Sequence, residues 1–349
     1  MNADKNKSYI CGSIKTSAGE VSKISTELTF QDVLGGVAVR WGNKRMDYRV
    51  PAGIYAVGCP GADACVFVSS NYKLSFDILR KNLSGLDGWL LVLDTKGVNV
   101  WCAAGKGTFG TKELVSRIQA VNLDRIVDHK KLILPQLSAT GVSVHETRKL
   151  SGFNAVFGPI KARDIKRFIQ MGFKTTADMR KITFSISERF VLVPMELSGG
   201  FKYIVLMIIV FSISGGLSLH GYSLRDAIEK TGGIVRNFTA AYAAGAVAGP
   251  LLLPWLPGRS FSVKGVWAGV LVMIIMSLQG SFFNAGNALV PAAWILIITA
   301  ISSFMVMNFT GASPYTSLSG VRKEMRIAVP LQAAALFSGT VLWLYKRLI

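Results

Sequence analysis

Residues 89–111 read WLLVLDTKGVNVWCAAGKGTFGT. Residues 89–94 form a continuous apolar run, which is typical of a strand buried on both faces of a parallel sheet. The following residues are small and rich in glycine, and residues 112–121 have helical periodicity, with Thr111 as the predicted N-cap and Glu113 in the first turn. A strand, a small-residue segment and a helix in this order predict an α/β fold whose ligand lies where the strand ends.

The first 200 residues repeat this alternation of strands and helices. Short β-rich runs predict five further strands, at residues 53–57, 64–68, 132–137, 153–157 and 190–194. Helical periodicity predicts two more helices, at residues 74–83 and 162–171. We therefore predict an open, Rossmann-like, three-layer α/β domain.

Composition divides the 349 residues into two parts. Half of the residues are hydrophobic, only 17% are charged and the mean hydropathy is +0.40, which is too apolar for an ordinary soluble protein and excludes a disordered chain. Residues 1–202 hold 29 Lys and Arg against 17 Asp and Glu, whereas residues 203–349 hold 10 against 3. The first part is therefore expected to be water-soluble and the second to lie in lipid.

The second part contains five apolar runs, each near the length that a helix needs to cross a hydrocarbon core of about 30 Å. They are residues 203–219, 234–256, 263–278, 288–309 and 327–345. We predict a soluble domain of residues 1–197, a linker of residues 198–202, and an all-α bundle of five transmembrane helices in residues 203–349. Residues 1–30 lack the apolar core of a secretory signal, so we expect a multi-pass protein of the cytoplasmic membrane whose first domain stays in the cytoplasm.

The four cysteines do not have the spacing of a zinc or iron–sulfur site, and each is expected to be a small buried side chain. Cys102 is the exception. If residues 99–106 are helical, Asn99, Cys102, Gly105 and Lys106 share one face, and the small Ala103, Ala104 and Gly105 leave room for a flat ligand above Cys102. A structural cysteine, or a phosphate cradle at the glycines, remains an alternative. A P-loop is excluded, and no nucleic-acid motif is present, so no nucleic-acid partner is expected.

The run from Asn99 to Thr111, followed by Glu113-Leu114-Val115, resembles the signature of the mercury-methylation corrinoid protein family (HgcA). It is also similar to the large subunit of the corrinoid iron–sulfur protein of the acetyl-CoA pathway. Further similar blocks are residues 70–77, 91–97, 134–142 and 158–162, and the likeness extends from about residue 16 to residue 197. The carbon-fixation relative carries cluster cysteines and a barrel domain. Their absence from this sequence, together with the predicted spans, favours the mercury-methylation family.

The resemblance implies a base-off corrinoid of the cobalamin type, bound beneath a cap helix. Cys102 would lie at or near the lower axial position of the cobalt, as its ligand and as the catalytic residue. The other expected cofactor contacts are Ser69, Asn71, Asn99, Trp101, Ala103, Lys106, Thr108, Phe109 and Ala162. Trp101 and Phe109 would exclude water from the cobalt, and Lys106 would either favour the thiolate or bind a corrin amide.

The activity implied is methyl transfer from methyl-cobalt(III) to inorganic Hg(II), which forms methylmercury. The expected partners are a methyltetrahydrofolate-linked methyl donor and a dedicated ferredoxin with two [4Fe–4S] clusters, since the chain's own cysteines cannot hold a cluster. Two alternatives stay open. One is a corrinoid methyl carrier in one-carbon metabolism, and the other is a membrane transporter whose soluble domain senses a ligand.

Overall fold

The computed structural model describes residues 8–280, 288–316 and 318–348. Residues 1–7, which belong to the predicted soluble domain, lie outside this range. Packing divides the chain into two compact units. The first comprises the residues up to Val39 and Asn43–Thr183, and the second comprises Arg40–Gly42 and the chain from Phe184 onward.

The first unit is built on a seven-stranded mixed sheet with the strand order β1-β2-β3-β5-β4-β6-β7. Its strands are β1 (Ile10–Thr16), β2 (Gly19–Ile24), β3 (Gly53–Val57), β4 (Val66–Ser70), β5 (Gly88–Leu93), β6 (Lys131–Leu134) and β7 (Asn154–Phe157). The block β5-β4-β6-β7 is parallel throughout. Strand β3 is antiparallel to β5, and β1 and β2 form an antiparallel pair at the edge. The predicted α/β sheet is therefore present, with a mixed rather than a purely parallel order.

Helices cover both faces of this sheet. They are α1 (Phe30–Arg40), α2 (Lys73–Asn82), α3 (Val100–Lys106), α4 (Thr111–Ala120), α5 (Val144–Ser151) and α6 (Ile165–Gln170). Leu91 of β5 packs with Leu114 of α4 in one hydrophobic core, whereas its neighbour Leu90 packs with Phe76 of α2 and Phe168 of α6 in the other. Successive residues of a buried strand thus serve opposite layers, which is why the central strands are apolar without alternation.

Two local predictions were wrong. Residues 190–194 do not form a strand, because α7 (Ile186–Phe190) ends there and α8 (Val193–Ser214) begins. A capping box at Ser185 starts α7, and a five-residue apolar run does not distinguish a strand from a helix. Thr111 is the first helical residue rather than the N-cap, which is Gly110, and its hydroxyl accepts a hydrogen bond from the backbone N–H of Ser143 at 2.9 Å.

Over its described residues, the second unit is helical apart from one short hairpin, β8 (Leu217–Ser218) and β9 (Gly221–Tyr222). After α7 and α8 its helices are α9 (Leu224–Ala243), α10 (Gly249–Leu252), α11 (Phe261–Leu278), α12 (Leu289–Asn308) and α13 (Leu318–Leu348). Helix α8 runs without a break through residues 198–202, where the linker was predicted. The domain limits drawn from the sequence stay a prediction.

Within the described residues, four helices are long and apolar enough to cross a membrane, rather than the five predicted. They are Ile186–Ser214, Phe261–Leu278, Leu289–Gly311 and Ser319–Leu348. The predicted span at residues 234–256 is the exception, because it joins the end of α9 to a π-helical turn, Ala244–Ala248, and to the short α10. Helix α9 is too polar for a span, since it carries charges at Arg225, Asp226, Glu229, Lys230 and Arg236.

Candidate functional site

The order in which the chain adds parallel strands to the sheet of the first unit reverses at β4. The chain leaves β4 through α2 to reach β5 on one side, and from β5 it crosses over β4 to reach β6 on the other side. The connections that follow β4 and β6 therefore diverge, and the carboxyl ends of these two strands open a crevice. Ligands of open α/β sheets bind at such a switch point.

A cavity of about 350 Å³ occupies this crevice. Its lining includes Ser69 near the end of β4, Leu134 and Pro135 at the end of β6, the start of α3, and residues 158–160 and 162 after β7. The walls are mostly aliphatic, with a few polar groups at the strand ends, as in many small-molecule sites. The structure therefore contains a cavity at the position where the α/β topology predicts a ligand.

Four of the predicted cofactor contacts meet in the lining of this cavity. They are Ser69, Asn99, Trp101 and Ala162. Ser69 is buried at the end of β4, and Ala162 begins a 3-10 helix on the opposite wall. The other walls include residues of the blocks 134–142 and 158–162, which the resemblance had already identified. The sequence indicates no individual role for Pro135 or Gly158 in these blocks. A Cβ on Gly158 would lie 3.2 Å from the Ile133 side chain, so glycine allows the loop after β7 to approach β6 closely.

The short helix α3 is the predicted cap helix. Asn99 is its N-cap, and its side-chain oxygen accepts a hydrogen bond from the backbone N–H of Cys102 at 2.9 Å. Gly107 ends the helix with a φ of 80°, in the left-handed region that glycine adopts without strain. Asn99 therefore fixes the start of the helix that carries Cys102, and the exposed Lys106 is its last residue.

Cys102 is half-buried and lies on α3 three residues after Asn99. It is not among the residues that line the cavity, although Asn99 and Trp101 of the same segment are. The other cysteines do not all fit the expectation of buried side chains, since Cys11 and Cys59 are exposed. Cys65 is half-buried, and burial raises the pKa of its thiol.

The small residues of α3 serve a different purpose from the one predicted. Ala103 and Ala104 are buried in the core rather than facing a ligand. A Cβ on Gly141 would lie 3.0 Å from the Cα of Ala104, so small residues let α3 pack closely against the turn after β6. The open part of α3 is at its end, because a Cβ on Gly105 or Gly107 would meet no atom within 4 Å.

Phe109 and Thr108 also belong to the packing of this segment. Phe109 is fully buried in the same core as Ala103, so it does not form a wall of the cavity. The hydroxyl of Thr108 donates a hydrogen bond to the carbonyl oxygen of Ala103 at 3.4 Å. Both residues therefore hold the turn between α3 and α4.

Asn71 is buried and connects the end of β4 to the loop after β5. Its side-chain oxygen accepts hydrogen bonds from the backbone N–H of Thr95 and Gly97 and from the Thr95 hydroxyl, at 2.9 to 3.1 Å. Its amide nitrogen donates to the Asp94 carboxylate at 2.9 Å. The preceding Ser70 has a buried hydroxyl without a hydrogen-bond partner among the described residues. Asn71 thus holds the end of β4 against the loop after β5, while the neighbouring Ser70 hydroxyl stays available for a further hydrogen bond.

Comparison with known proteins relates the segment around this cavity to corrinoid proteins. Residues 41–169 match the model of the family described as CO dehydrogenase/acetyl-CoA synthase delta subunit. The chain is 30% identical over 130 residues to the acetyl-CoA decarbonylase/synthase complex subunit gamma of Archaeoglobus fulgidus, covering 36% of this chain and 27% of that protein. It is 25% identical over 122 residues to the corrinoid/iron-sulfur protein large subunit of Moorella thermoacetica, covering 34% and 27%.

The matched segment contains the strands β3 to β7, the cap helix α3 and the cavity between β4 and β6. The chain spans about a quarter of the length of the curated relatives that it matches. The similarity to the CO dehydrogenase/acetyl-CoA synthase delta subunit family is therefore confined to residues 41–169, a little more than a third of the chain.

Proposed function

We propose that this chain is a membrane-anchored corrinoid protein that passes a methyl group to inorganic Hg(II). The observation that carries the proposal is the cavity at the switch point, beside a cap helix with a half-buried cysteine. This cavity lies within the segment that is similar to subunits named for corrinoid and acetyl-CoA chemistry. A bound corrinoid supplies a cobalt ion that accepts a methyl group and releases it.

The residues of the cavity suit part of such a cofactor. A corrinoid combines a flat macrocycle with a long polar nucleotide tail, and the whole is much larger than 350 Å³. The crevice would therefore hold one portion of it. Ser69 lines the cavity near the end of β4. The next residue, Ser70, does not line it, but its buried hydroxyl has no hydrogen-bond partner in the part of the chain that the structure describes. Buried polar groups normally have partners, so a polar tail near this strand end would satisfy it.

Cys102 is the residue that we propose to act beside the cobalt. It lies outside the cavity in the first turn of α3, and the end of the same helix has room for a flat ring at Gly105 and Gly107. Hg(II) is an electrophile, so the methyl group must reach it with its bonding electrons or as a radical. A thiolate is a soft, electron-donating ligand and favours that direction of transfer more than imidazole does.

Two partners follow from this proposal. Among the described residues, no three His, Cys, Asp or Glu side chains lie close enough together to hold a metal. The exposed and half-buried cysteines therefore do not offer a cluster site, and we propose a separate ferredoxin with two [4Fe–4S] clusters as the electron donor. A methyltetrahydrofolate-linked enzyme is the proposed methyl donor. The four apolar helices support an anchor in the cytoplasmic membrane, with the first domain in the cytoplasm.

The test uses the full chain in detergent or nanodiscs, loaded with corrinoid and supplied with reductant, methyl donor and Hg(II). We expect methylmercury to form with the unmodified chain and to be lost in Cys102→Ala. Cys102→His should keep the corrinoid, shift its visible spectrum and lose most methylmercury formation, because imidazole ligates cobalt but donates less charge. Cys65→Ala is the matched control, since Cys65 is also half-buried, and it should remain active. Full activity of Cys102→Ala would rule out the thiolate role.

A second candidate is a corrinoid methyl carrier of one-carbon metabolism. The names of the relatives favour it, because they refer to the acetyl-CoA decarbonylase/synthase complex and to a corrinoid/iron-sulfur protein. The two candidates share the cofactor and differ in the methyl acceptor. A chain that binds corrinoid and takes up methyl groups, yet yields no methylmercury from Hg(II), would favour this second candidate.

A further inference from the structure

Helix α1 carries a stripe of large apolar side chains on its solvent-facing side. Phe30, Val33, Leu34 and Val37 follow the spacing of one helical face, and they are 75%, 49%, 50% and 45% exposed. Trp41, directly after the helix, is 50% exposed. Single exposed apolar residues are common, but a continuous stripe of this kind marks an interaction surface.

The opposite side of α1 is firmly attached to the first unit. Asp32 and Val39 are buried there. The Asp32 carboxylate accepts hydrogen bonds from Lys73 at 2.6 Å and from Arg80 at 2.7 Å, both on α2. The apolar stripe is therefore the outer face of a helix whose inner face is held by ion pairs with α2.

Basic side chains follow the stripe in the sequence. Lys44 and Arg49 are exposed, and Arg45 is half-exposed, whereas Asp47 is the one acidic residue between positions 40 and 50. The exposed Met46 lies among them. Apolar residues, a tryptophan and flanking cations together are the composition of helices that lie in a membrane interface.

We propose that α1 lies in the interface of an anionic membrane, with its apolar stripe among the lipid chains and its basic neighbours near the phosphates. The chain itself supplies the reason for this occupant, since its second unit contains four helices that can span a bilayer. A second copy of the chain is disfavoured, because face-to-face pairing of the stripes would bring two basic clusters together.

The experiment places a photo-crosslinker on the stripe. The full chain, with p-benzoylphenylalanine in place of Leu34, is reconstituted in vesicles of phosphatidylcholine and phosphatidylglycerol, irradiated and analysed by mass spectrometry. We expect phospholipid adducts at this position. The matched control carries the same crosslinker at Leu150 of α5, an isolated leucine that is 57% exposed, and should give no phospholipid adducts. This outcome is independent of the proposed methyl transfer.

A second arm tests the contribution of charge. Lys44→Gln with Arg45→Gln should lower the yield of phosphatidylglycerol adducts at position 34 severalfold. Lys112→Gln with Lys149→Gln removes the same charge from exposed sites on α4 and α5 and should leave the yield unchanged. Adducts of position 34 with another protein segment, equal lipid yields at positions 34 and 150, or equal yields from the two charge variants would overturn the proposal.

Discussion

Asn71 is the residue that most directly shapes the candidate site. Its four side-chain hydrogen bonds hold the loop after β5 against the end of β4, and from that loop the chain enters the cap helix. The sequence led us to expect a cofactor contact at Asn71. The hydrogen bonds show that the side chain supports the architecture of the site, which no local sequence pattern reveals because its partners lie more than 20 residues away.

Replacing Asn71 should therefore destabilise the first unit. Asn71→Ala leaves the buried groups of Thr95 and Gly97 without an acceptor, and we expect a loss of about 2–4 kcal/mol in the free energy of unfolding. Urea unfolding of the full chain, followed by tryptophan fluorescence, measures it. Asn82→Ala, which removes a local bond to the Ile78 carbonyl, should cost less than about 1 kcal/mol. Equal losses in the two variants would show that the Asn71 network contributes little.

At the scale of elements, an ion-pair network joins α1 to α2. Lys73 and Arg80 each contact both Asp32 and Asp77, at 2.6 to 2.8 Å. Burial alone would raise the pKa of Asp32, but hydrogen bonds from Lys73 and Thr29 and the Lys73 charge outweigh it and lower the pKa to about 2. A depressed carboxyl pKa stabilises the folded state above the unfolded-state value and loses that contribution as the pH falls.

The first unit should therefore lose stability between about pH 4 and pH 2, by on the order of 2 kcal/mol from Asp32 alone. Urea unfolding of the full chain at a series of pH values tests this. Asp32→Asn is less stable at neutral pH, because it leaves buried cations short of a partner, but its stability should depend less on pH in this window. An acid dependence identical to that of the unmodified chain would assign the effect to other carboxyls.

The central strands were predictable because each is a short apolar run, and five of them lie within a few residues of their predicted positions. The edge pair β1 and β2 was missed, since β1 is mostly exposed, β2 buries only Val21 and Ile24, and both strands include Gly, Ser and Lys rather than a continuous apolar run. The strand predicted at residues 190–194 failed because a capping box outside the run determines a helix. Continuous apolar runs thus identify buried strands, whereas they do not reveal a largely exposed edge strand or a helix whose start lies outside the run.

At the scale of the whole molecule, composition correctly separates a charged α/β part from an apolar helical part. It overestimates the spans by one, because the apolar window at residues 234–256 begins inside α9, a polar helix that carries Arg236 in the window and four further charges before it. The position of the cavity was predictable from the α/β topology. Its lining was predictable only in part, since Ser69, Asn99, Trp101 and Ala162 reach it while Ala103 and Phe109 turn into the core.

Both candidate functions require a corrinoid to bind in the crevice between β4 and β6. The most direct measurement is the amount of corrinoid retained per chain after loading and gel filtration, read from the visible absorbance of the full-length protein. Ala162→Trp fills the cavity wall, whereas Ala120→Trp adds the same bulk at the exposed end of α4. Circular dichroism establishes that both variants are folded.

We predict stoichiometric corrinoid in the unmodified chain and in Ala120→Trp, and little in Ala162→Trp. A colourless unmodified chain, or equal loading of a folded Ala162→Trp, would contradict the account.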